Sequence, residues 1–215
     1  MIPLVVFDMA GTTVLDDGLV ERAFRRALPD ATPAMVDHVR ATMGQSKIVV
    51  FRELLRDEAA AQRANAAFED AYAALVADGH CAPVPGAAEV IAGLRADGAR
   101  IAFSTGFSRA TQHVVLSALG WTDLADFTTT PAEAGRGRPY PDMVLAAVLG
   151  LGLADVREVA VVGDTPSDVL AGLRSGARVV AGVLTGAGSR AELADAGATH
   201  VLDSIRDLPA VLEGL

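Results

Sequence analysis

Several short stretches of this chain hold residue types that do chemistry when a fold brings them together. The first is Asp8-Met9-Ala10-Gly11-Thr12-Thr13, directly after the apolar run 3–7. A carboxylate that ends a buried strand sits at a sheet's ligand edge, and Gly11 lets the chain turn so that amides, those of Gly11 and Thr12 included, face an anion. An acidic turn that merely ends a strand accounts for this loop equally well when it is read alone. The second stretch is Ser104-Thr105-Gly106, where hydroxyls and amides ahead of a helix suit a phosphate oxygen, or simply form a turn. The third is Gly135-Arg136-Gly137-Arg138-Pro139, in which Arg138, beside the rigid Pro139, is the better candidate for clamping phosphate with two N–H groups.

The fourth stretch, Val161-Val162-Gly163-Asp164-Thr165-Pro166-Ser167-Asp168, delivers two acids from one strand end. Asp164 beside Asp8 would make a hard oxygen site of the kind magnesium takes. Asp168 also completes a capping box with Thr165 as N-cap and Pro166 at the first helical position. The fifth is Thr42-Met43-Gly44-Gln45-Ser46-Lys47, which ends in the chain's only lysine. Arginine cannot become a neutral amine nucleophile, whereas lysine can when its pKa is depressed. Ser46 as N-cap places Lys47 in a first helical turn, where the dipole disfavours positive charge, and Ile48 and Val49 are expected to add desolvation. The plain alternative is a solvated lysine on a helix surface.

The elements that must position these residues follow from the pattern. Short apolar runs at 3–7, 100–103, near Phe127, 158–162, 178–181 and 199–202 read as strands. Between and after them lie helical patterns at 88–96, 108–119, 141–149, 166–175, 190–196 and near 208–212. Such alternation predicts an α/β architecture with right-handed crossovers and an open, mostly parallel sheet. It is interrupted between about 16 and 83 by helical patterns alone, at 19–28, 33–43, 47–57 and 60–77. An insert there would sit over the strands' carboxyl ends, joined by two connections, 15–18 and 79–86, rich in Asp, Gly and Pro and suited to hinges.

Composition excludes other classes. The net charge of −9 lacks the basic stripe of a nucleic-acid surface and offers no anchor to an anionic membrane. The lone cysteine, Cys81, rules out an internal disulfide framework. No run approaches a membrane span, and the N-terminus reads as a strand rather than a signal peptide, so a soluble cytoplasmic protein is expected. The scattered histidines follow no ligand spacing and read as structural or surface groups.

Together and in this order, the loops at the strand ends resemble those of the haloacid dehalogenase superfamily, across the whole chain outside the insert. The resemblance implies a Rossmann-like core of residues 1–15 and 84–215 with helices on both faces of the sheet, and a mobile helical cap of residues 16–83. It implies that Asp8 attacks phosphorus and forms an aspartyl-phosphate. It further implies that Asp8, the Ala10 carbonyl and Asp164 hold Mg²⁺ with Asp168 in support, and that Thr105 and Arg138 bind the transferring group. Ser104, Gly106, Gly11, Thr12 and Met43 are then expected to face the substrate.

Phosphatases of this superfamily carry a second Asp two residues after the nucleophile, where this chain has Ala10. General acid catalysis is worth roughly 10²–10⁴-fold, so its absence carries information. The phosphonatase branch has the same Asp-x-Ala-Gly-Thr-Thr loop and a cap lysine that forms an imine with the substrate aldehyde. The segment ending in Lys47 resembles that cap segment. Two positions depart from the branch: Val50 stands where it has His, and Phe107 where it has Tyr. The expected enzyme is a phosphonatase-like hydrolase of a small phosphonate or phosphorylated substrate, with a homodimer through the cap as a further expectation. A phosphatase acting on esters with good leaving groups, a dehalogenase and a catalytically silent phospho-ligand binder are the alternatives.

Overall fold

A computed structural model of the chain describes residues 2–215. It contains strands β1 (Leu4–Asp8), β2 (Arg100–Ser104), β3 (Phe127–Thr129), β4 (Val159–Gly163), β5 (Val179–Val183) and β6 (His200–Leu202). They pair in parallel as one six-stranded sheet in the order β3-β2-β1-β4-β5-β6. The fold is the expected Rossmann-like α/β sheet, and β1 lies in its middle. All five residues of β1 are buried, and successive side chains enter opposite layers. Val5 and Phe7 join the larger apolar cluster. Leu4 and Val6 join a smaller one with Val144, Ala147 and Val148. Burial on both faces is why the strand reads as a continuous apolar run rather than an alternating one.

Between the two connections that follow β1 the chain forms four helices, α1 (Leu19–Ala27), α2 (Pro33–Ala41), α3 (Lys47–Leu55) and α4 (Glu58–Leu75), the last followed by a wider turn at Val76–His80. A row of buried aromatics holds these helices to one another. Phe24 stacks on Phe51 at 5.8 Å, Phe51 meets Phe68 at 6.0 Å, and Phe68 meets Tyr72 at 5.9 Å. The row ends on Phe107, which follows β2, with Tyr72 at 4.7 Å from it. Emptying one such aromatic position costs roughly 3–5 kcal/mol, so this row is a main tie between the helices and the sheet. The two connections pair with each other: the Leu15 amide donates to the Ala82 carbonyl and the Val84 amide to the Thr13 carbonyl, both at 2.9 Å. Asp17, Gly18, Gly79 and Gly86 in these connections all have positive φ.

The remaining helices are α5 (Ala87–Ala96), α6 (Arg109–Ala118), α7 (Pro131–Ala134), α8 (Asp142–Gly150), α9 (Pro166–Ser175), α10 (Arg190–Asp195) and α11 (Leu208–Glu213). Most boundaries differ from the sequence pattern by one or two residues, and two of the shifts have a clear physical reason. The second helix ends at Ala41 rather than at 43, because the chain turns to bring Gly44, at φ +81°, against Thr165. The strand expected to end at 181 runs on to Val183, since Gly182 and Val183 still pair with β6. The short α7 has too few residues to show a helical period. Among the described residues no helix is long and apolar enough to cross a membrane.

Candidate active site

The sheet's carboxyl edge gathers the acids and the arginine that the sequence singles out. Asp8, at the end of β1, is 5% exposed and pairs with the Arg138 guanidinium at 2.5 Å. The same Nη1 reaches Asp168 Oδ1 at 2.8 Å, while Nη2 donates to the Ser104 hydroxyl at 3.0 Å. Arg136 instead faces solvent and pairs with Asp142. Asp168 caps α9 as the sequence pattern predicts, with its Oδ2 accepting from the Thr165 amide at 3.1 Å. Both of its oxygens are therefore engaged, one by Arg138 and one by Thr165.

Asp164, at the end of β4, accepts from the Thr12 hydroxyl at 3.2 Å and from the Ala187 amide at 2.8 Å. Glycines make room for it. A Cβ on Gly11 would stand 2.4 Å from Asp164 Oδ2, and one on Gly186 would stand 1.9 Å away. The loop Thr185-Gly186-Ala187-Gly188 was not singled out in the sequence, although a glycine-rich polar run after a predicted strand is a usable signal. Its Thr185 hydroxyl also donates to the Gly11 carbonyl at 2.7 Å, locking the first loop to the fifth strand.

The first loop requires a correction. The amides of Gly11 and Thr12, expected to face an anion, are spent inside the turn. Gly11 donates to the Val14 carbonyl at 2.7 Å, and the Met9 carbonyl accepts from Thr12, Thr13 and Val14. Closing so tight a turn around one carbonyl leaves those N–H groups no freedom to reach outward. Thr12 contributes through its hydroxyl on Asp164 instead.

The second loop is covered by the helical segment rather than open. The Lys47 amide donates to the Gly106 carbonyl at 3.3 Å, and the Gly44 carbonyl accepts from Arg138 at 3.4 Å. A Cβ on Gly106 would meet the Gln45 carbonyl oxygen at 2.3 Å. Ser46 does stand at the N-cap of α3, but its side chain makes no capping bond; the core carbonyl of Gly106 satisfies the first amide in its place. The helix after the second loop is capped by Ser108, not by Ser104 or Thr105. Thr105 accepts from the Phe107 amide at 3.2 Å.

Beneath this contact lies a cavity of about 20 Å³ that brings Asp8, Ala10, Met43, Lys47, Thr105 and Asp164 together. Outside it, between α3 and the loop 135–140, opens a cleft of about 690 Å³ that Lys47 also lines. Lys47 is partly buried, with its ammonium 5.8 Å from the centre of the Phe107 ring. Val49, expected to help desolvate it, is 38% exposed and points away from the interior.

Burial governs the electrostatics. It pushes the Lys47 pKa down to about 8, against the opposing pull of Asp16, Asp8 and Asp164; Arg138 adds to the lowering. Burial raises Asp8 to about 7, with Arg138 working against the rise and Asp168 adding to it. Asp164 is raised well above the ordinary carboxylate range, by burial first and then by Asp8 and Asp168. For Arg138, burial penalises the charge, yet Asp168 and Asp8 outweigh it and hold the guanidinium protonated. Oxygen atoms of Asp8, Asp164 and Asp168 lie within 4.8 Å of one another. Three crowded carboxylates, with no nitrogen or sulfur donor among them and with Asp8 and Asp164 held back from ionising by burial, fit a hard divalent cation.

The comparisons agree with this picture. A family model of haloacid dehalogenase-like hydrolases matches residues 2–176. The phosphonoacetaldehyde hydrolase of Bacillus cereus is 33% identical over 206 residues, spanning 86% of this chain and 76% of that protein. Among solved structures, a hydrolase from Pseudomonas syringae superposes with a TM-score of 0.88 at 26% identity, covering 99% of both chains. A phosphonoacetaldehyde hydrolase-like protein from Oleispira antarctica superposes with a TM-score of 0.86 at 24% identity, covering 99% of this chain and 92% of that one. With the family model running from β1 past the end of α9, and a relative one-third identical along most of the chain, this protein belongs to the haloacid dehalogenase-like hydrolases and is an enzyme.

Proposed function

We propose that the enzyme cleaves the carbon–phosphorus bond of a phosphonate that carries an aldehyde, phosphonoacetaldehyde or a close analogue, with Asp8 as nucleophile and Lys47 as imine former. The observation that carries this reading is that Lys47, the only lysine, shares a small cavity with Asp8 and has a pKa lowered to about 8. An amine with that pKa is free in a useful fraction near neutral pH. The relatives named as phosphonoacetaldehyde hydrolases support the same substrate class.

In this mechanism the Lys47 amine condenses with the aldehyde, releasing water and leaving a protonated imine beside the C–P bond. Asp8 attacks phosphorus, and the bonding pair of the C–P bond flows into the imine to give a neutral enamine. Ala10, where an acid would otherwise stand, is consistent with a leaving group that needs no proton in that step. Water then hydrolyses the aspartyl-phosphate to phosphate, while protonation and hydrolysis of the enamine release acetaldehyde and free Lys47. Arg138, buried with Asp8, would orient the nucleophile and neutralise charge on the transferring group. Asp8, the Ala10 carbonyl and Asp164 would hold Mg²⁺, with Asp168 positioned through Arg138 and Thr165. When bound, the ion supplies charge neutralisation at the attacked phosphoryl group.

The segment 16–83 acts as the cap in this reading. A cavity of about 20 Å³ holds little more than one water, so a phosphonate enters only when the helices lift from Gly106 and Thr165. A second reading, hydrolysis of phosphate esters with good leaving groups, is favoured by apolar Val50 and Phe107 at positions that are polar in phosphonatases. One experiment separates them. Borohydride with phosphonoacetaldehyde should inactivate the wild type and label Lys47, and Lys47→Arg should lose both labelling and C–P turnover. Turnover of phosphate esters that survives Lys47→Arg, with no labelling of the wild type, would replace the first reading by the second.

A further inference from the structure

A guanidinium can steer a phosphoryl group only if its plane is fixed. Arg138 carries a flat fork of N–H groups on a long, flexible stem, and a fork held at one nitrogen still pivots about that nitrogen. Three of its four partners converge on Nη1: Asp8 at 2.5 Å, Asp168 at 2.8 Å and the Gly44 carbonyl at 3.4 Å. Nη2 has one partner among the described residues, the Ser104 hydroxyl at 3.0 Å. Ser104 stands opposite Asp8 in the parallel pairing of β2 with β1. The two strand ends therefore offer the fork one acceptor each, and this pair of contacts sets its plane.

These contacts do not all last through the proposed reaction. The Asp8 carboxylate attacks phosphorus, so its charge, and with it the ion pair on Nη1, is lost when the aspartyl-phosphate forms. The Gly44 carbonyl belongs to the helical segment and withdraws when that segment lifts. Asp168 stays on Nη1 but cannot stop rotation about that atom. Ser104 is the contact left on Nη2, and it belongs to the sheet, paired on one side with Asp8 and on the other with Thr129 of β3. Expected from the sequence to face the substrate, Ser104 instead is 4% exposed and lines neither the small cavity beside Lys47 nor the larger cleft. Asp8, Thr105 and Gly106 line the cavity, and Arg138 lines the cleft.

We propose that Ser104 is a positioning residue for the transfer step: it touches Arg138 rather than the substrate, and keeps the guanidinium plane fixed while Asp8 reacts and the helical segment lifts. This rests on the reading that Asp8 and Arg138 serve the transferring group, and it holds whether the bond broken is C–P or the O–P bond of an ester. Without the anchor the fork swings off the attacked phosphoryl group as charge redistributes there. The loss therefore falls on kcat rather than on KM.

The test is a set of Ser104 variants with Mg²⁺ present, assayed on phosphonoacetaldehyde and on p-nitrophenyl phosphate. Ser104→Ala should lower kcat by roughly 10-fold and leave KM within about twofold. Ser104→Thr, which keeps the hydroxyl, should recover most of that loss. In an Arg138→Lys background, which has no fork to orient, Ser104→Ala should change kcat by less than about twofold. A spectroscopic readout needs no turnover. In protein carrying nitrogen-15 arginine, the Arg138 Nη signals are identified by their absence in Arg138→Lys. They should be resolved in the wild type and in Ser104→Thr, and coalesce in Ser104→Ala as the guanidinium turns freely. A loss of the same size persisting in the Arg138→Lys background, or a rise in KM with kcat unchanged, would overturn the inference by assigning Ser104 to the substrate. Nη signals that stay resolved in Ser104→Ala would overturn it as well. A wild type inert to both substrates, whose Nη signals still coalesce only in Ser104→Ala, would strike the proposed chemistry and uphold the anchoring of Arg138.

Discussion

Replacing Asp8 with asparagine should abolish turnover and at the same time stabilise the metal-free protein at alkaline pH. In the folded state burial raises the Asp8 pKa from 3.8 to about 7, after the favourable charge of Arg138 has acted. Because the folded value is the higher one, the contribution of this group to stability is full below about pH 4. It is lost as pH rises to about 7, and is constant above that. At about 1.36 kcal/mol per pKa unit, the buried carboxylate costs up to about 4 kcal/mol at pH 8. Asparagine resembles the neutral acid in shape, and Arg138 keeps Asp168 at 2.8 Å, so the variant escapes most of that cost. For a chain of 215 residues this corresponds to a rise in Tm of roughly 10 °C. Thermal melts of both proteins in EDTA at pH 8 and pH 5 measure it. The gap should shrink to roughly 2 kcal/mol at pH 5, where folded Asp8 is protonated. Mg²⁺ at pH 8 should narrow it by stabilising the wild type. An asparagine variant no more stable than the wild type at pH 8, or a gap that does not change with pH, would refute the reasoning.

Two further outcomes follow from the same geometry. Arg138→Met leaves Asp8 and Asp168 buried without their shared cation, and should cost roughly 3–5 kcal/mol at pH 8 in chemical denaturation. The loss should lessen toward pH 5 as Asp8 takes up a proton; a loss independent of pH would mean that packing, not charge, is at stake. Gly106→Ala places a Cβ against the Gln45 carbonyl, a backbone atom that cannot swing aside, so the helices must stand off the sheet edge. Turnover should fall by roughly 10²-fold with the melting temperature of the core little changed, and protease cutting of the connections 15–18 and 79–86 should speed up. Unchanged turnover would show that this close approach is not part of the working state.

Much of the fold was legible before any coordinates. The apolar run of β1 can be satisfied only by burial on both faces, which already implies a parallel sheet covered by helices. The acids at the ends of β1 and β4 then fall at one edge by topology alone. The helices of the segment 16–83 showed their period clearly, and their ends shifted by a few residues where capping contacts took over. The short α7 escaped because a single turn carries no periodicity. The Thr185–Gly188 loop escaped because its own run does not say which side chain its glycines make room for; that is Asp164, at the end of the neighbouring strand.

What the sequence by itself determined was the inventory and its placement: a carboxylate after the central strand, an alanine where a second acid could stand, two acids four residues apart, and one lysine in a helical insert. Chain direction and strand order are enough for that. Only the tertiary structure decided which groups touch. Arg138 pairs with Asp8 and Asp168 at once, the amides of the first loop turn inward, and Lys47 loses part of its basicity through burial between Phe107 and the sheet edge. Hydrogen-bond partners and pKa values depend on distance and on exclusion of water, and both are set by packing between segments far apart in the chain.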